Sequence, residues 1–293
     1  ELSKQKAQLK LEEVDVFTKG MRQFRMTVFN IHPYMNLPGG SLETLDNIKR
    51  EDCIKFYNDF ARPNNMVLAV FGDIDDKKIE DDIRRLFKDF KEKPLPEKLI
   101  PEEPPQKVPR TSEIMLDKKE ALLIVGSKTT TINDKDKYTL LLLSAIMSGQ
   151  DGRLFKKIRD LKGMAYNLGS SSQPGVDPGY FIFYVATSKG LINQAEKIVL
   201  EELNLIKKGE ISDEELKNSK SSLIGSELMG RETISALSFI LASDELFGLG
   251  FDNYKRFEVE INKVSKDDLR RVAQKYFPEN NLVKIKVLNN GPF

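Results

Sequence analysis

The sequence predicts an α+β chain of two homologous domains with antiparallel sheets covered by helices, on one face in the complete second domain, and with the first domain truncated. Three observations lead there. Segments with apolar residues three and four apart alternate with short apolar runs of strand length. Residues 94–109 hold six prolines (Pro94, Pro96, Pro101, Pro104, Pro105 and Pro109) and little apolar content, the composition of an extended, semi-stiff linker. Residues 49–71 also recur at 265–287, offset by 216: Asp52 matches Asp268, Phe60 matches Tyr276, and Asn64-Asn65 matches Asn280-Asn281. A helix-turn-strand of this length can recur by chance. Taken as a true repeat, it leaves roughly a hundred residues of the first copy unaccounted for, because only about 70 residues precede its strand, against some 180 between the linker and the second copy's strand. The expected boundaries are 1–93 for the C-terminal part of a first domain, 94–109 for the linker and 110–293 for a complete second domain.

Residues 1–29 carry helical texture, with Leu2, Leu9, Val16, Phe17 and Phe24 among charged positions. NIHPYMNLPGGSLETL follows as a loop marked by Pro33, Pro38, Gly39 and Gly40. Residues 48–60 read as a helix that stops before Arg62-Pro63, and its apolar side (Cys53, Phe56, Tyr57, Phe60) makes Cys53 a small core residue. MVLAVFG at 66–72 reads as a buried strand, and 74–90 as a helix. Beyond the linker, EIMLD and ALLIVGSKT are strands, and 138–147 is apolar nearly all round, hence a buried helix. Residues 150–166 form a short amphipathic helix with Leu154, Phe155, Ile158 and Leu161 on one face, closed by Gly163 as a natural C′ residue. Strands near 165–172 and 180–187 flank Pro174-Gly175 and Asp177-Pro178-Gly179, and a helix covers 190–208. Ser212 to Glu215 is a capping box for a further long helical region, broken near Gly230 and closing by Gly248.

Composition excludes several function classes. Forty-six basic against 45 acidic residues leave a net charge of +1, which offers no attraction for nucleic acid or an anionic membrane. No apolar run reaches the 18 residues of a membrane span, and the first residues do not resemble a signal peptide. One cysteine cannot form an internal disulfide. One histidine, His32, cannot build a His-x-x-Glu-His, Cys₂His₂ or two-histidine-one-carboxylate metal site, and in its loop it reads as a packing or hydrogen-bonding residue. No Gly-x-Ser-x-Gly elbow or Walker loop occurs, and Ser148 to Arg153 is a poor phosphate cradle because it follows a helix. The paired carboxylates Asp81-Asp82 and Glu214-Glu215 sit in helical surface texture. What remains is Arg159, late in a helix, with Tyr166 seven residues on. Both can donate hydrogen bonds to one carbonyl oxygen, or Arg159 can complement the helix dipole while Tyr166 packs.

Three stretches together resemble the pitrilysin/insulinase family of zinc metallopeptidases, which includes mitochondrial processing peptidase and non-catalytic relatives. NIHPYMNLPGGSLETL is similar to the family's HPY loop, with Met35 where a glycine and Leu37 where a proline are usual. FYNDFARPNNMVLAVFGDID is similar to the helix and strand that close a domain, and RLFKKIRDLKGMAYNLGSSS to the second-domain signature. The resemblance implies a LuxS/processing-peptidase-like metallopeptidase fold. It also implies that Arg159 and Tyr166 bind the substrate carbonyl opposite a zinc ion, for an extended peptide cleaved in a closed chamber. The inverted H-x-x-E-H helix that holds zinc in the family is not in this chain. Glu1 falls near where the third-ligand helix would lie, without an anchored register, so no metal ligand is assigned. Zinc is therefore expected in the full-length or partnered enzyme and not on this chain. The partner would be a missing N-terminal part or a zinc-bearing half, in a homo- or heterodimer. The alternative is a non-catalytic structural or peptide-binding half of the same family.

Overall fold

The computed structural model describes residues 1–97, 99–149, 152–160 and 165–289, and of Arg159, Asp160 and Tyr166 the backbone alone. The chain separates into two compact units. The first comprises Glu1–Leu45, Ile100–Leu223 and Glu260–Phe293, and the second Asp46–Leu99 and Ile224–Val259.

The first unit is organised on a five-stranded sheet in the order β1-β5-β2-β4-β3. Its strands are β1 (Arg110–Leu116), β2 (Ala121–Lys128), β3 (Ala165–Gln173), β4 (Tyr180–Thr187) and β5 (Val283–Asn289). Seven consecutive residues of β2, from Ala121 to Ser127, are buried. A strand with no polar face must be covered on both sides, and this one is. Leu123 and Val125 pack with α6 (Asp136–Ser148), α7 (Arg153–Asp160), α8 (Ile192–Lys208) and α12 (Lys266–Tyr276). Leu122 and Ile124 pack with Phe24 and Val28 of α2 (Val16–Val28). At Gly20 a Cβ would stand 2.7 Å from Leu122 Cδ2, so the missing side chain is what lets α2 lie this close to the sheet.

Two expectations are corrected here. The sheet is mixed, because β1 runs parallel to β5 while the remaining pairs are antiparallel. Helices also cover both of its faces, since β5 alternates: Val283, Ile285 and Val287 face α2, while Lys284 and Lys286 reach Glu196 of α8, both at 2.8 Å. Burial pushes the Glu196 carboxyl upward, but the two ammonium groups outweigh it and hold it below the ordinary range.

In the second unit no described residue is buried. Cys53, on α4 (Arg50–Phe60), is exposed rather than a core residue, and Phe56 and Tyr57 beside it are more than 60% exposed. Residues 66–72 form no strand, although their pattern is that of one. The reason is pairing: the described strands are hydrogen-bonded only among themselves, and a ladder requires two. Helices α5 (Asp76–Phe87) and α10 (Ile234–Leu246) complete the main elements of this unit. No helix of the described residues is long and apolar enough to cross a membrane.

Candidate functional site

Arg159 lies in the last turn of α7 and Tyr166 is the second residue of β3, at the sheet's edge. The register of β3 against β4 shifts between Ala165 and Asn167, so Tyr166 occupies an irregularity of the ladder. α7 packs against both α6 and β3, which places the two backbones in neighbouring elements. The side chains of Arg159 and Tyr166 lie outside the described residues, as do Leu161 and the Gly163 turn. Of the expected apolar face of α7, Leu154 and Ile158 are buried and Phe155 is 39% exposed.

The described surroundings fix both elements. Ser170 of β3 is bound to the end of α6 by two hydroxyl contacts, to Ser144 at 2.9 Å and to Ser148 at 2.7 Å, and its N–H donates to Ser148 Oγ. At the start of α7, Arg153 donates from Nε and Nη2 to the two carboxylate oxygens of Glu215, at 2.6 and 2.7 Å. This is the bidentate fork that suits a guanidinium. Glu202, nearly buried on α8, stands 3.7 Å from Arg153 Nη1 and 3.9 Å from Lys157. Burial pushes its carboxyl upward, and the two cations do not fully offset that. A cavity of about 410 Å³ opens beside this cluster, lined by Gly149, Gly152, Lys156, Ser212, Glu214 and Asn218 among others.

His32 is buried, with both ring nitrogens occupied. Nδ1 accepts from the Tyr34 N–H at 3.1 Å, and Nε2 lies 3.3 Å from Asp177 Oδ2. It is thus a hydrogen-bonding residue of the loop, as its context suggests. The residue that sequence reasoning passes over is Glu103. From within the proline-rich segment, its carboxylate accepts the N–H groups of Asn30, Ile31 and His32 at 2.7, 3.0 and 3.0 Å. Lys128 donates to the carbonyls of Glu103 and Pro104 on the same turn. The one available signal was a carboxylate in an otherwise rigid proline run. Burial pushes the Glu103 carboxyl upward, but the three amides and Lys128 outweigh it and hold it below the ordinary glutamate range. Its folded pKa is thus the lower one, so the stability it contributes is present above its ordinary pKa and is lost as pH falls through the folded value. Glu103→Ala is expected to cost about 2 kcal/mol at neutral pH, because the N–H groups of Asn30, Ile31 and the buried His32 lose a shared charged acceptor. Urea unfolding measures this, and a cost below about 0.5 kcal/mol would show that water replaces the carboxylate.

A zinc ion does not fit the described residues. None of them form a group of three or more histidine, cysteine, aspartate or glutamate side chains able to hold a metal. Glu1 is exposed and pairs with Lys4 at 3.5 Å.

Residues 47–223, more than half the chain, match the family described as peptidase M16 inactive domain. The chain belongs to that family. This M16 inactive domain is 28% identical over 246 residues to the uncharacterized zinc protease YmxG of Bacillus subtilis, covering 82% of this chain and 58% of that protein. It is 28% identical over 273 residues to the zinc protease PqqE of Helicobacter pylori, covering 89% and 60%. The chain thus spans about three fifths of the curated relatives it matches. In fold it is similar to the crystal structure of a protease from Helicobacter pylori, with a TM-score of 0.87 at 22% identity, over 98% of this chain and 70% of that one.

Proposed function

We propose that this M16 inactive domain is the complementing half of a zinc-dependent peptidase. It supplies scaffold and chamber wall, and Arg159 and Tyr166 donate hydrogen bonds to a carbonyl of an extended peptide. The observation that carries the reading is a chain of this family, matched by relatives named zinc proteases, whose described residues hold no metal-capable cluster. The metal and the attacking water then belong to polypeptide outside these residues. Two donors aimed at a developing oxyanion lower the barrier to acyl transfer, because they stabilise charge that appears only in the transition state.

The test is made in the assembled protease with single replacements, Arg159→Met and Tyr166→Phe. Each is expected to lower kcat/KM by about 100-fold with Tm unchanged. Lost Tm with intact turnover would make both residues packing groups. That outcome favours the second reading, a non-catalytic peptide-binding or structural half, which the family's own description as an inactive domain supports. Zinc bound stoichiometrically to this chain alone, with peptidase activity, would sink the proposal outright.

A further inference from the structure

Among the described residues α7 is one of the three shortest helices, with α3 (Leu42–Asn47) and α11 (Phe257–Lys263), at eight residues against 13 in α1 (Leu2–Val14). A helix of about two turns has almost no stability of its own in water. Its place is therefore set by what holds it. Leu154 and Ile158, both buried, seat one side of α7 in the core that α6 and α8 share. Such contact resists lifting the helix away, but being non-directional it resists rotation and sliding much less.

The directional grip is at the first residue. Arg153 gives Glu215 of α9 (Asp213–Met229) its two-pronged fork, and Nη2 also donates to the carbonyl of Glu210, in the turn after α8. Nη1 faces the buried Glu202 of α8. One guanidinium, itself only 13% exposed, thus gathers α8, the turn and α9 onto the start of α7. Lys157, mostly exposed and 3.9 Å from Glu202, adds a weaker tie. The cavity of about 410 Å³ lies between α7 and α9, with Lys156 on one side and Ser212, Asn218 and Ser219 on the other, so the helix has room to shift once the fork is released. Arg159 stands six residues from Arg153, about 9 Å along the axis, and a tilt of about 10° at the fork moves its backbone by about 1.5 Å. Misplacing a catalytic group by about 1 Å costs on the order of 100-fold in rate.

We propose that Arg153 is a positioning residue: its fork to Glu215, backed by Glu202, fixes the rotation and height of α7 and thereby the backbone from which Arg159 extends. The catalytic consequence rests on the role proposed for Arg159, whereas the structural consequence stands on the fork alone. Lysine cannot replace Arg153, because an ammonium is a point charge and cannot form two parallel bonds to one carboxylate. Since Arg153 acts through a donor that works in the transition state, its loss falls on kcat and leaves KM unchanged.

The test uses the assembled protease with Arg153→Lys, and with Glu215→Gln as a second variant that removes the fork from the other side. Hydrogen exchange followed by mass spectrometry should show amides of 157–160 exchanging about 10-fold faster in both variants, with those of 140–147 unchanged. Turnover should fall about 30-fold in kcat at constant KM. In an Arg159→Met background the same replacements should cost no further kcat, because the group they position is gone. Unchanged exchange at 157–160 would overturn the proposal. So would an equal loss of kcat in both backgrounds, which would mean that Arg153 acts by some route other than Arg159. Faster exchange at 157–160 together with an Arg159→Met enzyme of full activity would uphold the fork as the anchor of α7 and overturn instead the role proposed for Arg159.

Discussion

Replacing Phe24 with alanine is expected to lower the unfolding free energy of the first unit by about 4 kcal/mol, the upper range for emptying a large aromatic site. Phe24 is fully buried and is the central anchor of α2 on the sheet. Its ring lies against the β2 backbone at Gly126, where a Cβ would stand 2.7 Å from Phe24 Cε2, and it meets Tyr180 edge-on at 5.5 Å. The space left behind cannot close easily, because its floor is ladder-bonded strand and its walls are β-branched side chains. Gly126→Ala tests the same contact from below, since its Cβ would also stand 2.3 Å from the Phe181 carbonyl oxygen. Urea unfolding followed by far-UV circular dichroism decides the matter. A cost under about 1.5 kcal/mol for Phe24→Ala would mean that α2 is not integral to the first unit.

Asp136→Ala should cost about 3 kcal/mol at neutral pH. At the start of α6, the buried Asp136 carboxylate accepts from Arg271 at 2.8 Å, Lys275 at 2.7 Å and the Tyr276 hydroxyl at 2.8 Å, all on α12. Arg271 and Lys275 are half exposed and regain water when the carboxylate is removed, so most of the cost falls on the buried Tyr276 hydroxyl. Burial alone would push the Asp136 carboxyl up, but the three donors outweigh it and bring it down from 3.8 to about 2. The folded value is the lower one. Its contribution is therefore complete above about pH 4 and disappears as pH falls toward 2, a difference of about 2 kcal/mol. Stability curves of the native chain and Asp136→Ala should converge over that window. A gap that stays constant from pH 6 to pH 2.5 would show that packing, and not the charge, accounts for the cost.

How much of this was legible beforehand depended on the distance over which each signal acts. The capping residue Ser212, whose hydroxyl accepts the Glu215 N–H, could be read from four adjacent letters. So could the buried run of β2 and the helices that end before Pro63 and Pro278. For the candidate site, the residue pattern placed Arg159 late in a helix and Tyr166 early in a strand, and the backbone agrees. That the two serve one carbonyl came from resemblance and stays a proposal. Cys53 misled because a helical apolar stripe says only that a face wants cover, not that cover is present.

By itself, the sequence determined the helices, the strand-forming stretches, the proline segment and the repeat, because these rest on steric and hydrogen-bonding preferences within a few residues of each position. The tertiary structure alone decided that α2 crosses β5, the strand that closes the second copy of the repeat. It likewise decided that β1 runs parallel to a strand 173 positions away and that Glu103 closes on the loop at Asn30 to His32. Those outcomes turn on which distant surfaces meet. Residues 66–72 show the limit most plainly: their letters specify a strand, and only a neighbour can make them one.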